Sequence, residues 1–512
     1  MKKFRSALAV FLCLALAVPF ALCASAAEAD GSYEITNPYA DINWDAVTAY
    51  KTALHSHTNA SDGDDNLRAS VERHVEAGFD IVATTDHGTV NYSWADPNPN
   101  NLIYGVMSLV GKSEGELIYL GTEGTFDNGM AYTYGTAANG DDYLTLADGR
   151  KVLRVPYGIE NNAVSVNAHV NSWFVDHVDN SITTYEDAVK GVHAMGGVSV
   201  INHPGEYTKV RYELRSEDAY NEENPVYGYY TNKFASLIKN YDSCIGIDMN
   251  SKGDNRTRFD RILWDNLLKR FAANGENVYA IASSDAHQLD VIDTGYVLAL
   301  LEDQSSAALK DCLLSGEFFA ASHNLGNYDE LVEIAAALKE FYGETELYNK
   351  VNGTATAMLE KIEGIENGEY AADESIGITY STLENGYNTC EADPRITSIE
   401  VDETTDEITV NTTDALIVRF ISDGELICTK KAGDATIDLN EYADVLGDYV
   451  RVEVFGEGGI VYTQAFLLDA SEKAGTSDPV GTYINLGVLD FLFAEFNNWY
   501  AIIVRFFANL VK

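Results

Sequence analysis

Two pairs of side chains sit at the spacing that lets alternate residues of one strand share a face: His55 and His57 in HSH, and Asp285 and His287 in DAH. Metal ligation needs several nitrogen or oxygen donors converging on one point, and i, i+2 positions on a strand present them together. Each pair ends a short apolar run, and Asp62 follows the first in HSHTNASDG. Further donors end other runs: His87 in ATTDHGT, Glu123 in YLGTEG and His203 in INHPGE. Where parallel strands close into a barrel their C-terminal ends converge, which would bring these donors face to face. The chemistry such a set supports is hydrolysis by a water activated between divalent ions, with no serine or cysteine nucleophile. Asp86, beside His87, reads as an acceptor that orients a ligand histidine from behind. Asp248 and Asn250 end another run, where they could touch substrate.

The elements that must position these donors are legible as an alternation of apolar runs and helical stretches from Tyr50 to about Ser322, the signature of a parallel α/β unit. Strand-like runs are expected at Leu54–His57, Ile81–Thr84, Leu117–Leu120, Val198–Ile201, Cys244–Ile247 and Val278–Ala282. Helices are expected at Leu67–Ala77, Tyr185–Met195, Arg258–Phe271 and Ser305–Leu314. The stretch from Gly124 to Ala163, rich in Gly, Asn, Asp and Tyr, reads as an insertion on the loop side. Of the remaining histidines, His74 and His193 lie in helical patterns and read as packing or surface residues, while His177 and His323 read as solvated.

The set HSHTNASDG, TTDHG, GTEG, INHPGE and SSDAH resembles the PHP family (polymerase and histidinol phosphatase), metal-dependent hydrolases on an irregular (βα)7 TIM-like barrel. The segment VNAHVNSW resembles that family's G-H-x-N segment, with Ala168 in place of the glycine. The resemblance implies a trinuclear centre of Zn, Mn or Fe: one ion on His55, His57, Glu123 and Asp285, a second sharing Glu123 and adding His169 and His203, a third on Asp62, His87 and His287. It also implies a small-molecule phosphoester as substrate. Three divalent ions bring about +6 and three carboxylates return about −3, so the pocket stays positive and would draw in an anion. Carboxylic ester or carbamate hydrolysis on the same centre, or a non-catalytic metal-stabilised surface module, are the other readings these residues leave open.

The expected organisation is a barrel over 45–325, a helical segment over 326–392, a small β-sandwich-like domain over 393–469, a linker over 470–482 and an amphipathic helix over 483–512. YVRVEVFGEGG in the β-rich part also resembles domains that follow the barrel in exported PHP hydrolases. In the final segment Glu495, Asn498, Arg505, Asn509 and Lys512 form one polar stripe on an otherwise apolar helix, which makes peripheral membrane contact, docking to a partner or packing on its own protein the candidates.

At the other end, Lys2, Lys3 and Arg5 precede an apolar run from Ala7 to Cys23 and an Ala24-Ser25-Ala26 site. Residues 1–27 therefore read as a signal peptide, and the protein as secreted or held at the cell surface. With 34 Lys and Arg against 79 Asp and Glu, the 512-residue chain carries a net charge of −45, which argues against general nucleic-acid binding. The 31 Tyr and 20 Phe argue equally against disorder. Export permits disulfides among Cys244, Cys312, Cys390 and Cys428, and the spacing does not choose between pairing and free thiols.

Overall fold

The first two histidines ride just beyond a strand that is hydrogen-bonded along both edges. In the computed structural model, β1 (Ile35–Thr36) is followed by β2 (Thr48–Ala53), and β2 runs parallel to β3 (Ile81–Val82) with Thr52 opposite Ile81. The connecting helix Leu67–Glu76 starts where the Asn66 side chain accepts the Ala69 N–H, and it buries Leu67, Val71 and Val75. The structure describes residues 33–98, 102–109, 111, 113–161, 169–179, 185–208, 210–249, 256–323, 328–369, 392–473, 475 and 477–481. The expected signal peptide, Asn250, Ala168, Cys390 and the expected C-terminal helix lie outside them.

After β3 the chain makes an antiparallel meander of β4 (Glu123–Thr125), β5 (Ala131–Thr136), β6 (Asp142–Leu146) and β7 (Lys151–Arg154), and β7 returns to lie parallel to β3. Alternate residues of β5, Tyr132 and Tyr134, are buried, as a half-covered antiparallel strand requires. Next come β8 (Ile159–Asn161), β9 (Val170–Trp173), β10 (Val198–Ile201), β11 (Cys244–Asp248) and β12 (Tyr279–Ile281). β8 and β9 are antiparallel to their neighbours, whereas β10, β11 and β12 are parallel. Two isolated parallel bridges, Ser56–Ala286 and His87–Glu160, join the ends of this sheet to the ends of β2 and β3. The helices Tyr185–Met195, Pro225–Asn240 and Asp260–Ala272 pack Val189, Phe234, Leu263 and Leu267 into one apolar cluster with Ile247 and Ala280.

The helices match the sequence pattern closely, but the strands do not all match. Leu117–Leu120 forms no strand, because the Asn59 side chain donates to the Glu114 and Glu116 carbonyls and fixes the preceding segment as a loop. The expected insertion over 124–163 contains β5 to β8, of which β7 and β8 join the central pairings.

The C-terminal strands continue the same hydrogen-bonded system. β13 (Gly295–Leu301) lies between β2 and β14 (Phe318–Ser322). Beyond helices Tyr328–Tyr342 and Glu346–Glu366 come β15 (Arg395–Asp402), β16 (Glu407–Thr413), β17 (Ile417–Ser422), β18 (Glu425–Lys431), β19 (Asp434–Asp438), β20 (Tyr449–Gly456), β21 (Gly459–Tyr462) and β22 (Phe466–Leu468). β21 pairs with β14 and β22 with β1, so the expected boundary near 393 is crossed by backbone hydrogen bonds. The described chain is therefore a mixed α/β protein whose C-terminal β-rich part grows out of its central sheet. Cys244 and Cys312 are buried free thiols, and Cys428 is free and half-buried.

Candidate metal centre

His55 and His57 extend β2 past its last ladder bond. Ser56 between them is fastened by Thr85 Oγ1 and the Ala83 carbonyl, and the His57 N–H donates to the Ala286 carbonyl at 2.8 Å. That last bond sets Asp285 and His287 beside the two histidines. Glu160 arrives from β8, where Gly158 lets the backbone pass so close to Thr84 that an added Cβ would lie 2.5 Å from its carbonyl oxygen. His203 and Asp285 take positive φ values of 26° and 44°, strained for side-chain-bearing residues. Such strain persists where surrounding contacts enforce it, and it clusters at working sites.

The distances define one group sharply. His55 Nε2 and His57 Nε2 lie 3.2 Å apart. Asp285 Oδ1 is 3.1 and 3.0 Å from them, and Glu160 Oε2 is 3.4 and 3.2 Å from them. Ligands about 2.0–2.1 Å from a tetrahedral ion stand about 3.3–3.4 Å from one another, so the five separations fit an ion at the centre. Glu160 Oε2 is buried and makes no hydrogen bond despite three imidazole nitrogens within 3.4 Å, the third being His87 Nδ1 at 3.1 Å. Two further groups adjoin this one: His57, Asp62, His87 and His287, and His87, Glu160 and His169. Asp62 Oδ1 is 3.3 Å from His287 Nε2 and its Oδ2 is 3.6 Å from His87 Nε2. Glu160 Oε1 faces His169 Nδ1 at 3.1 Å and His203 Nε2 at 3.2 Å.

Electrostatics follow from burying so many titratable groups together. Burial alone would push His55 down, but Asp285 and Glu160 outweigh it and carry it up to about 9. His57 is likewise raised well above its ordinary value, against its burial, by Asp285 and Glu160. At His87 burial wins, and its value falls to about 3. Burial would raise Glu160 and Asp62, yet the surrounding imidazoles hold both carboxyls below their usual range. The carboxylates are thus kept ionised, as ligation of a cation requires.

Eight of the nine residues named from the sequence meet here: His55, His57, Asp62, His87, His169, His203, Asp285 and His287. Glu123 does not. It is exposed on β4, paired with Thr133 in the meander, and Glu160 stands where it was expected. Asp86 touches no histidine directly; it accepts the Thr58 N–H and hydroxyl at 2.7 and 2.9 Å and the Ser61 hydroxyl at 2.8 Å. Ser61 Oγ in turn lies 3.4 Å from His57 Nδ1, so Asp86 acts on the histidine through the loop. Asp248 is fully buried behind His55, 3.9 Å from its Nδ1, and accepts the Ser283 hydroxyl, which removes it from substrate contact. His323, expected to be solvated, is buried against Asp393 at 3.0 Å.

A cavity of about 610 Å³ opens over the group, lined by His169, His203, Glu206, Tyr207, Arg256, Ser284 and Gln288 together with Asp62, His87, Glu160, Asp285 and His287. Sequence patterning missed Glu160 because it falls inside the Gly- and Asn-rich stretch. Its signal was the strand-like run Val152-Leu153-Arg154-Val155 followed by Gly158-Ile159, another strand end with a carboxylate behind it.

No protein-family model matches the chain, and no curated protein matches it. Among solved structures it is similar to a two-domain protein from Bacteroides vulgatus containing a predicted PHP-like metal-dependent phosphoesterase, at 14% identity and a TM-score of 0.32, over 86% of this chain and 100% of that one. The buried His, Asp and Glu groups can hold metal ions on their own geometry.

Proposed function

We propose that this protein is a metal-dependent hydrolase of PHP type, a phosphoesterase with three divalent ions held by His55, His57, Asp62, His87, Glu160, His169, His203, Asp285 and His287. The observation that carries the reading is the ligand-like spacing of His55, His57, Glu160 and Asp285 around one point, with Glu160 Oε2, one of the four, buried and making no hydrogen bond. An irregular seven-position barrel is supported by the two bridges, which link β2, β3, β8, β9, β10, β11 and β12 one to the next in a ring. Divalent ions there would supply Lewis acidity and a water acidified toward neutral pH.

The chain's own residues do the rest. Glu160 divides its oxygens, Oε2 among His55, His57 and His87, and Oε1 between His169 and His203, so one side chain ties the groups together. Asn202 Nδ2 donates to Glu160 Oε1 at 2.7 Å and keeps that carboxylate from rotating. Arg256 and Gln288 on the cavity wall, each with more than one N–H, offer donors to the oxygens of an anionic ester.

Export, and membrane contact through residues 483–512, belong to the same proposal and are supported by the short apolar run at the start and the narrow polar stripe at the end. The deciding experiment assays phosphate monoesters, phosphate diesters and aryl carboxylic esters on protein whose metal content is measured by elemental analysis. Phosphoester turnover that follows added Mn²⁺ or Zn²⁺ is expected. Turnover of carboxylic esters alone, or a protein that takes up no divalent ion, would overturn the reading.

A further inference from the structure

The turn that carries His203 also returns a carboxylate to the back of its ring. Helix Pro204–Thr208 begins immediately after His203, and the Glu206 N–H donates to the His203 carbonyl at 3.0 Å. This first turn folds Glu206 Oε2 to 3.4 Å from His203 Nδ1, while Nε2 on the opposite edge faces Glu160 and Asp285. The other carboxylate oxygen, Oε1, accepts from Arg256 Nη1 at 2.6 Å. Glu206 is thus held at one oxygen by a guanidinium from the segment after β11, and its other oxygen stands 3.4 Å from the imidazole nitrogen, outside hydrogen-bond geometry.

That segment is locked to the turn independently. The Gly205 N–H donates to Asp260 Oδ2 at 3.0 Å. A Cβ at Gly205 would stand 2.2 Å from the Arg256 carbonyl oxygen and 2.5 Å from Asp260 Oδ1, so the two backbones touch only because residue 205 has no side chain. Asp260 is itself fully buried and takes the Tyr220 hydroxyl at 2.7 Å. Arg256 is therefore delivered to Glu206 by a rigid contact rather than by a chance surface encounter.

We infer that Glu206 is a positioning residue, held by Arg256, which fixes the ring and tautomer of His203 so that Nε2 presents its lone pair to the centre. The inference rests on the metal-centre reading proposed above. An imidazole that ligates through one nitrogen carries its proton on the other, and a carboxylate accepting that proton both orients the ring and raises its basicity. The Glu206–Arg256 pair holds a carboxylate oxygen 3.4 Å from Nδ1, close enough to become such an acceptor by a small turn of the ring, while Arg256 offsets its charge. Tyr207, next on the same turn, places its hydroxyl 2.7 Å from His169 Nδ1, the nitrogen that also faces Glu160.

The test titrates Mn²⁺ alone into the full chain and reads stoichiometry and affinity, with circular dichroism and thermal melting on the same samples. Glu206→Gln keeps the shape and removes the charge; it should weaken one Mn²⁺ equivalent by roughly ten- to a hundred-fold, leaving the others and the melt of the ion-free protein unchanged. Arg256→Gln should weaken the same equivalent by a smaller factor, and Glu206→Asp should recover part of the loss. A uniform fall at every equivalent together with a lower melt would make Glu206 a packing residue and overturn the inference. Wild-type affinity in folded Glu206→Gln would overturn it as well, while leaving the metal centre standing. If Glu206→Gln does not fold, unchanged affinity in folded Arg256→Gln overturns it. Failure of the wild type to bind Mn²⁺ would instead remove the metal-centre reading, and this inference with it.

Discussion

His87 and Glu160 meet twice: their backbones form an isolated parallel bridge, with the Gly88 N–H donating to the Glu160 carbonyl at 2.8 Å, and His87 Nδ1 lies 3.1 Å from Glu160 Oε2. The bridge makes the side-chain contact a consequence of strand register, which a distant substitution cannot easily undo. Glu160→Gln should then lower bound metal well below the wild-type ratio and cut turnover by at least about a thousand-fold, since the acidified water depends on those ions. Glu123→Gln, on the exposed β4, should leave both unchanged. Elemental analysis after gel filtration, beside the ester assay, separates the two variants.

The contrast between these glutamates shows how far the sequence could be read. The H-x-H and D-x-H pairs were legible because strand periodicity is local: residues two apart share a face whatever the remaining chain does. Glu123 and Glu160 both follow apolar runs, and only long-range pairing distinguishes them. β4 pairs with β5 in a hairpin that carries Glu123 outward, whereas β8 reaches the end of β3. The C-terminal β-rich part was legible as strands but not as a continuation of the central sheet, because the β14–β21 register depends on partners more than a hundred residues apart. His323 was misplaced for the same reason, since its partner Asp393 follows the long helices.

Ion removal should cost stability. The centre packs Glu160 and Asp62, both held ionised by neighbouring imidazoles, and ions that bind only the folded chain stabilise it by mass action. Dialysis against a chelator should lower the thermal midpoint, and Mn²⁺ or Zn²⁺ should restore it, whereas Mg²⁺ should restore less because it disfavours nitrogen ligands. An identical melt with and without chelator would show that no ion contributes.

Asp86 anchors the loop between His57 and Asp62 through three bonds, two to Thr58 and one to Ser61. Asp86→Ala leaves those buried donors without their acceptor, at about 1–3 kcal/mol for each group left unsatisfied. An unfolding free energy lowered by about 3 kcal/mol, read as a lower urea midpoint at unchanged slope, is expected, together with weaker metal uptake because Asp62 loses its fixed loop. Ser61→Ala removes one bond of the three and should show a smaller change in the same direction.

The contact between helix Asp260–Ala272 and the C-terminal strands is built from charge. Arg451 donates to Asp265 Oδ1 and Oδ2 at 2.8 Å and to Glu453 Oε1 at 2.7 Å, and Arg419 donates to Glu453 Oε2 at 2.5 Å and also to Glu333. Burial would raise Glu453, but Arg419, Arg451 and Arg261 outweigh it and hold the carboxyl at about 2. Because the folded value lies below the ordinary 4.5, the proton binds the unfolded chain first. The stabilisation is therefore complete above about pH 4.5 and is lost as the pH falls from there through about 2. Glu453→Gln should cost about 3–5 kcal/mol at neutral pH, since it leaves buried guanidinium groups without their counter-charge. Its thermal midpoint should also fall less steeply on acidification than that of the wild type, and parallel pH profiles for the two proteins would refute the assignment.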